Sequence, residues 1–175
     1  MNIANKLTLA RLCCVPLFML SVYGFSSYEL ATLLFILASV TDWLDGYIAR
    51  KYHLVTTFGK FADPLADKLL VMTALIILVE KLSVPAWIVA IIVCRELAVT
   101  GLRLLLVQDS GVVLAADWSG KVKTFTQMIA IVLILMSNFN ISFPIGEIFL
   151  YLSGILAIYS GIEYFIKNKH VFKNL

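Results

Sequence analysis

Apolar residues gather into runs separated by short polar connections: Leu7 to Gly24, Tyr28 to Val40 with its continuation, Leu65 to Val79, Val84 to Val107, Val122 to Met136 and Ile145 to Ile166. About 20 helical residues cross a hydrocarbon core. The runs therefore predict six transmembrane helices and an all-α integral membrane protein. The connections Gly24 to Ser27, Lys81 to Pro85 and Asn138 to Pro144 hold one basic residue, Lys81. The alternate connections and tails hold Lys6, Arg11, Arg50, Lys51, Lys60, Lys121, Lys123, Lys167, Lys169 and Lys173. This asymmetry places both termini in the cytoplasm, in agreement with an even number of spans. The stretch from Gln108 to Gly120 reads as a cytoplasmic loop. The first run follows Lys6 and Arg11, but no A-x-A-like cleavage site follows it, so a retained span is expected.

Composition agrees. Of 175 residues, 61% are hydrophobic and 14% charged, and the mean hydropathy is +0.95, against about 45–50% apolar and about 25% charged in soluble domains. Six spans use roughly 120 residues and leave roughly 55 for connections, so a single membrane domain over residues 1–175 is expected. Cys13, Cys14 and Cys94 lie in apolar runs and form neither a disulfide framework nor a zinc spacing. A net charge of +3 is too small to indicate nucleic acid as a partner.

The polar segment from Thr41 to Asp67, between the second and third spans, holds four of the eleven acidic residues. Asp42 and Asp45 are three apart and Asp63 and Asp67 four apart, spacings that place each pair on one helical face. Near hydrocarbon each acid costs about 2.5–3.5 kcal/mol, so something cationic must offset them. Lysine or arginine is one answer. Oxygen ligands with no nearby cysteine and only His53 as a nitrogen donor suit a hard divalent ion better, Mg²⁺ or Mn²⁺ over zinc. Four carboxylates can hold two such ions about 3.5–4 Å apart, the arrangement that clamps a phosphoryl group in displacement. The simpler alternatives are an Asp63 cap ahead of Pro64, an Asp45-Gly46 turn and a solvated Asp67. A cap at Asp63 leaves the second acid, one turn further into an apolar run, unexplained. Gly46 allows close approach of a ligand to the backbone, and Arg50 offers a forked donor to phosphate.

Read in order, Asp42-x2-Asp45-Gly46-x2-Ala49-Arg50-x8-Gly59-x3-Asp63-x3-Asp67 resembles the signature of the CDP-alcohol phosphatidyltransferase family at every fixed position. At roughly one in fifteen per position, such a match arises by chance less than about once in a billion starts. The resemblance implies a six-span membrane enzyme that moves a phosphatidyl group from CDP-diacylglycerol to an alcohol and releases CMP. Carried over by position, Asp42, Asp45, Asp63 and Asp67 hold two Mg²⁺ or Mn²⁺ ions, and Asp67 is also the base for the acceptor hydroxyl. Gly46, Ala49 and Arg50 contact the cytidine diphosphate, with Thr56, Asn5 and Thr8 as further nucleotide-site candidates. The alternative for Asn5 and Thr8 is a role as plain helix caps. A homodimer in a bacterial cytoplasmic membrane, its active site facing the cytoplasm, is part of the same expectation.

Three further segments resemble the branch of the family that uses glycerol 3-phosphate: Asn5 to Arg11, Arg95-Glu96 with Gly101-Leu102-Arg103, and Gly120 to Thr124 with Gln127. This implies phosphatidylglycerophosphate as the product. Arg103, Lys121, Lys123 and Arg95 are then the candidates for the acceptor phosphate. The alternatives are lysines that only snorkel and an Arg95 paired structurally with an acid. Other acceptors, an inositol phosphate or phosphatidylglycerol, stay open, as does a divalent-cation transporter, which would spread its acids through the bilayer depth. A non-enzymatic scaffold is the remaining alternative. Trp118 and Tyr151 suit interfacial belts, and Lys167 to Lys173 suits contact with anionic lipid. His53 and His170 receive no role.

Overall fold

The computed structural model describes residues 3–51, 57–110, 118–136 and 143–169, and within them the side chains of 9–41, 66, 68–103, 106, 118–136 and 144–169. Six helices follow one another: α1 (Ile3–Tyr23), α2 (Tyr28–Lys51), α3 (Thr57–Leu82), α4 (Ala86–Ser110), α5 (Trp118–Leu135) and α6 (Phe143–Lys167). The all-helical expectation holds. Two boundaries shift: Gly120 lies inside α5 rather than in a loop, and Pro144 lies inside α6 rather than in a connection.

Among the described residues, one stretch, Pro144–Lys167, is long and apolar enough by length and composition to cross a membrane, and Leu9–Tyr23 and Tyr28–Thr41 are shorter apolar helices. Six such crossings were expected. Charges stand inside several of the other helices: Arg11 in α1, Lys68 in α3, Arg95, Glu96 and Arg103 in α4, and Lys121 and Lys123 in α5.

Adjacent helices reverse through tight connections. Gly24 and Phe25 both donate to Leu20 O, at 2.8 and 3.1 Å, which closes α1. Ser27 Oγ accepts from Leu30 N at 3.3 Å and caps α2. Ser26 and Ser83 carry the positive φ values, 50° and 55°, that turn the chain between helices. At this end Tyr23 donates to Glu80 at 2.6 Å, and Lys81 lies 2.9 Å from Glu80. The bond from Tyr23 and the nearby lysine hold the exposed Glu80 carboxyl below its usual range.

All six helices contribute to one apolar core, including Phe18, Phe35, Leu75, Ile92, Ile131 and Leu150. α1 packs on α2 and α3, and α6 packs on α5 and α4. Small residues on α6 set the second group. A side-chain carbon at Gly146 would stand 3.0 Å from the backbone nitrogen of Ile134, one at Gly154 would overlap Ile88, and one at Gly161 would stand 3.2 Å from Arg95 Cγ. The backbone of α5 therefore approaches α6 closely at Gly146, while side chains of α4 seat against Gly154 and Gly161. The opposite face leaves Ile148, Ile155, Ile158, Ile162 and Ile166 exposed, and α2 does the same with Leu30, Leu33, Leu37 and Val40.

Candidate functional site

The helices carry the acidic motif to one end of the bundle. Asp42 and Asp45 lie in the last turns of α2, and Asp63 and Asp67 lie in the first half of α3. The two helices are in contact, α2 ending at Lys51 and α3 starting at Thr57. Helix runs through both Asp45-Gly46 and Asp63-Pro64. The turn at Asp45 and the cap at Asp63 are thereby excluded, because Asp63 stands well past the first residue of α3. The side chains of the four aspartates, Ala49, Arg50, Asn5 and Thr8 lie outside the described residues, as does all of Thr56 and the backbone of His53 and His170.

One residue beyond Asp67 the described chemistry begins. Lys68 Nζ donates to Thr100 Oγ1 on α4, and that hydroxyl donates in turn to Glu96 O at 2.6 Å. Glu96 Oε1 accepts from Lys123 Nζ of α5 at 2.5 Å and from Arg95 Nη1 at 2.9 Å. Arg95 Nη2 donates to Ser160 Oγ on α6 at 2.9 Å. Four helices, α3 to α6, thus meet at one polar node inside an apolar surround.

The four candidates for the acceptor phosphate do not behave alike. Arg95 and Lys123 converge on Glu96, and Lys123 is 1% exposed, which a merely snorkelling lysine would not be. Lys121, two residues earlier, is exposed. Arg103 is half-buried two turns further along α4, its Nε without a hydrogen-bond partner. Nearby, Glu163 of α6 accepts from Ser119 at 2.6 Å and from Lys167 at 2.8 Å, tying the start of α5 to the end of α6.

A cavity of about 30 Å³ opens beside the node, walled by Lys68, Glu96, Lys123, Thr124 and Gln127 above an apolar floor that includes Leu75 and Ile92. Gln127 is 1% exposed, and neither its Oε1 nor its Nε2 has a hydrogen-bond partner.

The family model for CDP-alcohol phosphatidyltransferase matches residues 1–159. The chain belongs to the CDP-alcohol phosphatidyltransferase family. This phosphatidyltransferase is 48% identical to a Bacillus subtilis protein named CDP-diacylglycerol–glycerol-3-phosphate 3-phosphatidyltransferase, over 98% of this chain and 97% of the relative. Proteins of the same name from Rickettsia bellii and Sodalis glossinidius are 42% and 36% identical, over 98% and 97% of the chain and 97% and 96% of the relatives.

Sequence reasoning missed four features of this phosphatidyltransferase. Arg11, read as a cytoplasmic surface charge, is 2% exposed within the bundle. Lys68 was given no role, and Glu96 and Gln127, singled out only within the resembling segments, were not named as site residues; all three line the cavity. A polar residue within an apolar helical run was the available signal.

Proposed function

We propose that the protein transfers the phosphatidyl group of CDP-diacylglycerol to glycerol 3-phosphate, giving phosphatidylglycerophosphate and CMP. The near-full-length identity of 48% to a protein named for that reaction carries the reading. The acceptor hydroxyl attacks the phosphorus that bears the diacylglycerol, the bond to the CMP oxygen breaks, and the hydroxyl proton leaves to a base.

Each group of residues has a place in that displacement. Asp42, Asp45, Asp63 and Asp67 form an all-oxygen donor set on two touching helices, which suits two Mg²⁺ or Mn²⁺ ions. Such ions, when bound, offset the charge of the pyrophosphate and of the departing CMP. Asp67 accepts the proton of the incoming hydroxyl late in the attack, when that hydroxyl has become acidic. Gly46, Ala49 and Arg50, with Asn5, Thr8 and Thr56, bind the nucleotide. Arg95, Lys123, Arg103 and Lys121 receive the phosphate of the acceptor; the first two, held by Glu96, are already oriented.

The domain is a single one, and it lies in a bacterial cytoplasmic membrane with both termini and the active site on the cytoplasmic side. The exposed isoleucines of α6 and leucines of α2 support the membrane setting, because apolar faces of that length are unfavourable in water. We also assign it a homodimeric state on family grounds.

An acceptor panel tests the reading. Purified protein, one CDP-diacylglycerol and a choice of glycerol 3-phosphate, inositol phosphate or phosphatidylglycerol should release CMP chiefly with the first. Indifference to glycerol 3-phosphate would defeat the assignment. Failure to release CMP with any alcohol would favour a transporter or scaffold instead.

A further inference from the structure

Gln127 stands on α5 one turn after Lys123, and both side chains wall the small cavity beside the node. Its amide has two donors and a two-lone-pair acceptor, is almost wholly buried, and makes no hydrogen bond. Buried polar groups are nearly always paired, so this amide is shaped for a group that arrives. The cavity, about 30 Å³, is too small for an entire acceptor and large enough for one or two waters or a single hydroxyl-bearing carbon. A hydroxyl both donates and accepts, matching what the amide presents. Lys68, which follows Asp67 directly in α3, is among the lining residues, so one stretch of the α3 backbone carries both a cavity residue and the proposed base.

We propose that Gln127 is a specificity-determining residue for the acceptor: its amide binds the C2 hydroxyl of glycerol 3-phosphate, the hydroxyl that does not attack, while the phosphate is held by the cations gathered at Glu96. This rests on the assignment of glycerol 3-phosphate as acceptor. It explains how an alcohol of this length is oriented, with one end fixed by charge, the middle by the amide, and the terminal hydroxyl left to react.

The test is a cycle of two acceptors and two proteins. 3-Hydroxypropyl phosphate has the chain, phosphate and reactive hydroxyl of glycerol 3-phosphate but lacks the C2 hydroxyl. Wild-type protein should prefer glycerol 3-phosphate by about tenfold in kcat/KM, the effect of one hydrogen bond between neutral groups. Gln127→Met, of similar shape, should lose about that factor with glycerol 3-phosphate and none with the analogue, leaving KM for CDP-diacylglycerol unchanged. Its thermal midpoint should be no lower than wild type, because an unpaired amide is replaced by an apolar group. Should the midpoint fall, Gln127→Asn, which keeps the amide but withdraws it, must show the same selective loss. Equal losses on both acceptors, as a structural water at Gln127 would produce, overturn the proposal, as does no loss on either. Wild-type protein that uses another alcohol and ignores glycerol 3-phosphate overturns the functional assignment itself, and this proposal falls with it.

Discussion

Glu96→Gln keeps the shape of the side chain and removes its charge, and the polar node makes the consequence calculable. Oε1 accepts one hydrogen bond from Arg95 at 2.9 Å and one from Lys123 at 2.5 Å, with the glutamate side chain 17% exposed. A bond between charged partners contributes about 1.5–3 kcal/mol and one between neutral groups about 0.5–1.5. Arg95 and Lys123 keep their charge in the variant, so the bonds weaken without becoming neutral ones and the two cations lose their counter-charge; breaking a buried ion pair in this way costs up to about 3–5 kcal/mol. Polar contacts between helices in bilayers are often weaker, averaging about 0.6 kcal/mol, which brings the lower bound near 1 kcal/mol. Unfolding titrations in mixed micelles should register this as a lowered midpoint. Orientation of Arg95 and Lys123 is lost as well, and at 1.4 kcal/mol per decade the KM for glycerol 3-phosphate should rise about tenfold or more. KM for CDP-diacylglycerol should hold. Glu96→Asp, which restores charge at shorter reach, should recover part of the loss. Wild-type stability together with a wild-type KM for glycerol 3-phosphate in Glu96→Gln would show that this carboxylate does not position the cations.

Three further outcomes are expected. Asp67→Asn should still bind CDP-diacylglycerol, measured by equilibrium binding of labelled lipid, but lose turnover by at least about 10²-fold, the usual contribution of a general base; full residual CMP release would remove Asp67 from the mechanism. Exhaustive chelation should abolish CMP release, and added Mg²⁺ or Mn²⁺ should restore it; unimpaired activity under chelation would refute the assignment of the four aspartates. Gly146→Ala should destabilise by about 1–3 kcal/mol, because the new carbon would stand 2.7 Å from Ile134 Cγ1 and 3.0 Å from its backbone nitrogen. Gly101→Ala meets nothing within 4 Å and should instead stabilise by up to about 1 kcal/mol through helix propensity; a comparison of unfolding midpoints decides, and equal shifts would contradict the packing described for α6.

What could be read along the chain was local. The apolar runs and the turn residues between them marked six helices, and α1, α4 and α6 fall close to the runs from Leu7, Val84 and Ile145. The spacing of Asp42, Asp45, Asp63 and Asp67 marked the chemistry, because a carboxylate in an apolar run is costly enough to require a reason. Boundaries near Gly120 and Pro144 were misplaced because glycine and proline both signal a connection, whereas each is tolerated in the first turns of a helix.

Partnership between helices was another matter. Lys121 and Lys123 are equivalent as letters, two residues apart on α5, yet one is exposed and the other is buried against Glu96. Arg11 was counted with the surface charges and lies within the bundle. These outcomes depend on the rotation and depth of each helix, which follow from where neighbouring helices pack tightly, as at Gly146, Gly154 and Gly161 of α6. Helical periodicity is a property of neighbouring residues and is written into the chain. The meeting of Lys68, Arg95, Glu96, Lys123 and Gln127, drawn from α3, α4 and α5, exists only once the helices have packed.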